Sequence, residues 1–100
     1  MNSNLKIIYA DTFFKRFKGL MGKNKFENCL VFVNLVDSSV HTLFMKFEID
    51  VYFLDEKQIV FDKVTLKPWK FYKPHKNAKF ILETRKNRLD FKIGDEIDFL

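Results

Sequence analysis

The amino-acid sequence predicts a mostly β domain (α+β by strict count). It is expected to be a compact barrel or a strongly curved antiparallel sheet of about seven short strands, with one short N-terminal helix. Three observations carry that expectation. Segments rich in β-branched and aromatic residues recur between turn-like stretches, the signature of many short strands. Helical spacing occurs in one stretch near the start. The third is length: 100 residues, 47% of them hydrophobic, suffice for one core but not for two, so residues 1–100 read as a single domain. Thirteen Phe side chains supply much of the burial, worth about 25 cal/mol per Å² of apolar area.

Taken in chain order, Leu5 to Tyr9 reads as the first strand. Asp11 suits the N-cap of a short helix from Thr12 to Lys18, and Gly19 suits its left-handed C-cap. Phe13, Phe14 and Phe17 share one face of that helix, which is too short to stand without a sheet to pack against. Leu30 to Leu35 reads as a buried strand, and Val40 to Lys46 as another. In the next, Ile49 to Leu54, the residues Ile49, Val51 and Phe53 point one way and Asp50, Tyr52 and Leu54 the other. Asp55-Glu56-Lys57-Gln58 is a polar turn from which Ile59 to Leu66 returns as a hairpin partner. Lys79 to Thr84 and Glu96 to Leu100 complete the strands, with Gly94-Asp95 turning into the last. Lys67 to Asn77, which holds Pro68 and Pro74, is the one long connection; such loops in small domains often carry function.

Cys29 is the single cysteine, so no intrachain disulfide forms, which fits a reducing compartment. The start lacks a secretory pattern, and no apolar run approaches the roughly 20 residues of a membrane-spanning helix. The expectation is a cytoplasmic protein with no transmembrane segment, a monomer by default. The net charge of +5 suits an anionic partner: nucleic acid, a phosphorylated ligand or a membrane surface. Codon bias is the plainer account. Fifteen of the 18 basic residues are Lys, and Lys, Asn, Phe and Ile abound, as an A/T-rich bacterial genome would give.

Two basic motifs stand out. Lys63, Lys67, Lys70, Lys73, Lys76 and Lys79 recur every three or four residues, with no acidic residue between Asp62 and Glu83. Trp69, Phe71, Tyr72 and His75 are interleaved. A polyproline II conformation around the prolines would align Lys67, Lys70, Lys73 and Lys76 on one edge, roughly 9 Å apart. Cations with aromatics between them track a phosphate backbone while bases stack; otherwise the stripe is a solvated edge over a covered core. The scarcity of Arg argues against sequence-specific reading. In the second motif, Arg16, Lys18 and Lys23 surround the Gly19 to Gly22 corner, which either approaches a ligand closely or is simply a helix cap. A nucleic-acid clamp of the KH type is excluded, because too few residues separate Gly22 from the next strand for a second helix.

Catalytic signals are weak. His41 and Asp50 lie on adjacent predicted strands and could form an acid–base pair; Cys29 is a conceivable nucleophile. A hydrogen-bonded structural His is the commoner outcome. One Cys and two distant His make no metal cluster, and no nucleophile elbow, P-loop or dinucleotide glycine pattern occurs, so no metal and no cofactor are expected.

The chain resembles the domain-of-unknown-function 192 family, found in bacteria and archaea. The resemblance runs from about Leu5 to Leu100. It rests on Asp11-Thr12, Arg16 before Gly19-Leu20-Met21, Cys29-Leu30-Val31-Phe32, and His41-Thr42-Leu43-Phe44-Met45-Lys46. Ile49-Asp50-Val51-Tyr52-Phe53-Leu54-Asp55, Pro68-Trp69, Ile81-Leu82-Glu83 and Ile93-Gly94-Asp95 complete it. The resemblance implies a compact, mostly β fold and no established activity. Family positions carry over to Arg16, Gly19, Leu20, Met21, Phe44, Met45, Lys46, Asp50, Leu82, Glu83, Gly94 and Asp95. Two departures occur: Phe44 stands where the family usually has Trp, and Asn87, which tolerates a left-handed backbone, where it often has Gly.

These residues lead to a small, non-catalytic binding or accessory domain with an anionic ligand or nucleic acid. The expected ligand site is Arg16, Gly19, Met21, Lys46, Asp50 and Glu83, converging as a polar cluster. The second expected site is the basic loop: Lys67, Trp69, Lys70, Tyr72, Lys73 and Lys76. The rivals are a small hydrolase-like enzyme using His41 and Asp50, and a partner-protein interface along an edge strand.

Overall fold

A computed structural model describes residues 5–8, 29–33 and 38–98. Seven strands form among them: β1 (Leu5–Ile8), β2 (Cys29–Val33), β3 (Val40–His41), β4 (Ile49–Leu54), β5 (Val60–Leu66), β6 (Phe71–Tyr72) and β7 (Phe80–Arg85). Five build one sheet in the order β1-β2-β7-β4-β5, and β3 pairs with β6 in a small second sheet. The described residues contain no helix and no closed barrel. The helix expected at Thr12 to Lys18 lies outside them.

The barrel expectation is not supported: among the described residues the main sheet is open, with β1 and β5 at its edges. An all-antiparallel sheet is corrected as well, because β1 runs parallel to β2, with Leu5 beside Cys29 and Ile8 beside Phe32. A parallel pair needs a crossover of a dozen or more residues, and residues 9–28 lie between the two strands. The expected strand Val40 to Lys46 stops after His41, and the described part of the expected last strand, residues 96–98, forms only a bridge between Ile59 and Glu96. The seventh strand is instead Phe71–Tyr72, inside the long basic connection.

The β4–β5 hairpin forms as its sequence requires. Asp55 closes it: its Oδ1 accepts the backbone N–H groups of Lys57 at 2.9 Å and Ile59 at 3.0 Å. A bulge between Phe53 and Leu54 then shifts the register, so that Phe53 faces Asp62 while Leu54 faces Val60. All six residues of β4 are buried, which means that both faces of the sheet are covered.

Alternation along the strands divides the core in two. Phe32, Ile49, Val51, Phe53 and Ile81 lie on one face, packed with Val40, Met45, Leu66 and Ala78. Val31, Tyr52, Leu54, Phe80 and Leu82 lie on the other, packed with Val60 and Ile97. The small sheet covers the first face, where the Tyr72 and Phe53 rings sit 5.7 Å apart. The chain beyond β7 covers the second. The Tyr52 hydroxyl donates to the Leu89 carbonyl at 3.0 Å, and Gln58 Nε2 donates to the Ile97 carbonyl at 2.7 Å.

Candidate functional site

Two turns meet at the outer side of the small sheet. The first, Thr42-Leu43-Phe44-Met45, follows β3 and closes with the Met45 N–H donating to the Thr42 carbonyl at 3.1 Å. The second, Lys67-Pro68-Trp69-Lys70, precedes β6. Proline presets the second position of such a turn, and its third position takes a left-handed residue. That third residue is aromatic in both turns: Phe44 and Trp69 each have φ of 64°. Bulky side chains rarely adopt this conformation, which costs about 1–3 kcal/mol per residue. The two strained tips touch, with ring centroids 4.7 Å apart and planes at 60°.

Thr42 joins the turns. It is fully buried, and its hydroxyl occupies the place of the second turn's own hydrogen bond. Thr42 Oγ1 accepts the Lys70 N–H at 2.8 Å and donates to the Lys67 carbonyl at 2.5 Å. Its backbone N–H donates to the Lys70 carbonyl at 2.9 Å, and its carbonyl accepts the Trp69 N–H at 2.9 Å. Neither turn can move without breaking these bonds.

Large apolar rings remain in water on this clamp: Phe44 is 51% exposed, Trp69 58% and Phe71 66%. In the register of the small sheet His41 lies opposite Phe71 and Val40 opposite Tyr72. Val40 and Tyr72 face the core, so His41 and Phe71 face outward, their rings 5.5 Å apart. Lys46, Lys67 and Lys70 are exposed and lie within two residues of Phe44 or Trp69 in the chain. Residues 38–47 and 63–82, which supply both turns, contain no Asp or Glu. Glu48 lies just beyond and is held by Lys86 at 2.9 Å. That hydrogen bond lowers the Glu48 pKa; desolvation opposes it, and the charges of Lys86 and then Lys67 add to the lowering.

The family model DUF192, described as "Uncharacterized ACR", matches residues 1–99. The chain belongs to the DUF192 family. A UPF0127 protein of Thermococcus sibiricus is 43% identical over 94% of this chain, which spans 66% of that relative's length. A UPF0127 protein of Pyrococcus furiosus is 39% identical over 95% of the chain and 87% of its own. One of Thermococcus kodakarensis is 43% identical over 78% of the chain and 52% of its own. These relatives are archaeal, so the expected bacterial source has no support among them. No solved structure matches the chain.

Two segments of the DUF192 resemblance, His41 to Lys46 and Pro68-Trp69, thus form one surface. The sequence alone assigns Trp69 and Lys70 to a basic loop and Lys46 to a separate polar cluster. It misses Thr42, Phe44 and Phe71 as site residues. The signal for Thr42 and Phe44 lies in His41 to Lys46, a segment that carries the resemblance; Phe71 lies outside those segments.

The other expected sites come apart. Arg16, Gly19 and Met21 lie outside the described residues. Asp50 and Glu83 are both buried, but they point to opposite faces of the sheet. Asp50 pairs with Thr84 and Thr65, whereas Glu83 pairs with Val51, which faces the other way. One pocket therefore cannot hold both carboxylates. Asp50 is bound locally: Oδ1 accepts the Thr65 hydroxyl at 2.5 Å and Oδ2 the Asn87 N–H at 3.0 Å. Asn87 sits at φ 66°, the left-handed position its side chain tolerates.

His41 and Asp50 do not form a dyad. The small sheet that carries His41 covers one face of the main sheet, and Asp50 points to the other. His41 Nδ1 accepts the Leu43 N–H at 3.2 Å. Nor does the lysine stripe lie along one polyproline edge. The turn at Pro68–Trp69 and strand β6 break it. Lys76 lies over the Phe61 ring at 4.6 Å, and Lys63 donates to the Phe91 carbonyl at 2.6 Å. Tyr72 turns inward and donates to Asp62 Oδ2 at 2.6 Å. Lys73 is exposed beyond β6. The described residues contain no group of three potential metal ligands, and no helix long and apolar enough to cross a membrane.

Proposed function

We propose that this chain is a small binding domain whose paired turns take an anionic partner. The observation that carries the reading is the clamp: two strained, exposed aromatic tips held together by a buried Thr42, with the exposed Lys46, Lys67 and Lys70 within two residues of them in the chain. Strain of this kind persists only where the surrounding structure over-determines it, and it concentrates at ligand-contact positions. The two turns carry no Asp or Glu of their own and the nearby Glu48 is paired with Lys86, so the three lysines set the sign of the local field. The hydrolase alternative loses its support with the separation of His41 from Asp50.

The test is anisotropy of a fluorescein-labelled heparin oligosaccharide, a generic polyanion. Micromolar binding at 50 mM salt is expected. Replacing Lys46, Lys67 and Lys70 together with Gln should weaken it about tenfold or more, as loss of three cationic contacts would. Equal affinity of the triple variant would move the cationic surface elsewhere on the molecule and end the reading.

A further inference from the structure

We infer that the partner is a single-stranded nucleic acid, bound without sequence preference, its bases stacking on the rings of the paired turns while Lys46, Lys67 and Lys70 meet its phosphates; this rests on the reading of those turns as an anion-binding surface. The rings come as two couples, Phe44 with Trp69 and His41 with Phe71. Each couple offers an aromatic face in water, as the exposure of Phe44, Trp69 and Phe71 shows. A base has such a face to give only when it is unstacked from its own neighbours, which is the state of a single strand. A duplex would offer these rings nothing but its phosphates.

The cations are spaced to match. Lys70 lies between Trp69 and Phe71 in sequence, Lys67 lies two residues before Trp69, and Lys46 lies two after Phe44. A ring and a charge therefore alternate, as base and phosphate do along a strand. All three cations are lysines, point charges that follow a backbone without the bidentate fork that reads base edges. The described arginines, Arg85 and Arg88, lie at and beyond the end of β7, outside both turns. A membrane surface fits less well. An inserting apex is contiguous and apolar, whereas His41 and Lys70 interrupt this one.

Trp69 is the only tryptophan in the chain, so its fluorescence reports this surface directly. The experiment titrates the intact chain with a 15-nucleotide mixed-sequence single strand, the same sequence as a blunt duplex, and vesicles of phosphatidylcholine with phosphatidylserine. Stacking predicts quenching of Trp69 by the single strand and not by the duplex, with affinity for the single strand about tenfold higher or more. Read by anisotropy of a fluorescein-labelled single strand, Trp69→Phe and Phe71→Ala should separate in effect. The first keeps a ring and most of the affinity, while the second weakens single-strand binding by about fivefold or more. With three phosphate contacts the affinity should fall about twentyfold between 50 and 200 mM salt. Equal binding of duplex and single strand without quenching would overturn the stacking inference and leave the anionic reading intact. A blue shift with vesicles alone would overturn it in favour of a membrane. Failure of heparin and of both oligonucleotides at 50 mM salt would end the inference and the anionic reading together.

Discussion

Asp50 and Phe44 lie six positions apart and break the ordinary rule of burial in opposite directions. Around Asp50 the molecule takes a carboxylate out of water and surrounds it with donors from β5 and from the turn after β7. Around Phe44 it leaves an aromatic ring half in water, on a backbone that disfavours it. The first arrangement can be explained by stability alone, since every oxygen of the carboxylate has a partner. The second cannot, because glycine would hold the same turn with less strain. Residues of the DUF192 resemblance thus divide into those that hold the sheet and those that are displayed by it.

The sharpest way to break that contrast is to remove the carboxylate. Asp50→Ala deletes the buried carboxylate that accepts from the Thr65 hydroxyl and the Asn87 N–H, two partly buried bonds, and should cost about 1–3 kcal/mol of stability in urea unfolding. Polyanion affinity measured below the midpoint should be unchanged. A variant that lost affinity while fully folded would place Asp50 in the site after all.

Thr42 belongs to both regions, buried like Asp50 yet bonded only to the turns. Thr42→Val keeps the shape and deletes the hydroxyl, so Lys70 N–H and Lys67 C=O lose their shared partner. A loss of about 1–3 kcal/mol is expected, with single-strand affinity falling severalfold because the two tips are no longer held together. If stability fell and affinity did not, the clamp would be a structural device only.

Tyr72 anchors the small sheet from beneath. Its hydroxyl donates to Asp62, and that bond, then burial, then the carboxylate's charge raise its pKa above the ordinary 10.0. The folded state therefore holds the proton more tightly than the unfolded chain does. This stabilisation is whole below pH about 10 and is lost as pH rises above that value through the folded pKa. Tyr72→Phe should cost about 1 kcal/mol at pH 7 and flatten the alkaline fall in stability. An unchanged alkaline limb would show that another group sets it.

Much of the main sheet was legible because period-two alternation is a local signal. Ile49, Val51 and Phe53 against Asp50, Tyr52 and Leu54 could be read directly, as could the Asp55 turn. The small sheet was not. Val40 to Lys46 reads as one strand, and what stops it is a hydroxyl that bonds to the chain 25 residues away. No window of sequence contains that partner. The lysine spacing points elsewhere for a related reason: Pro68 suits an extended segment by itself, but the Thr42 contacts use it as the corner of a turn. The separation of Asp50 from Glu83 also needed the register, since it depends on which residue of β7 faces which residue of β4.

The smallest expected effects test the cause of the contrast, because Asn87 shares its backbone conformation with both aromatic tips. Asn87 meets that conformation cheaply, and glycine would do so at least as well. Asn87→Gly should therefore change stability by no more than about 0.5 kcal/mol, and Asn87→Ala should lower it by about 1 kcal/mol. At Phe44 and Trp69, glycine relieves a larger strain but forfeits the contact between the rings, worth about 0.5–1.5 kcal/mol. The two changes oppose each other, so Phe44→Gly and Trp69→Gly should be close to neutral in urea unfolding while single-strand binding falls. A ring that is dispensable for folding yet held at a strained position has its use outside the fold. If either glycine variant instead lost about 2 kcal/mol or more, the ring pair would count as part of the core and the division between holding and displayed residues would fail at that position.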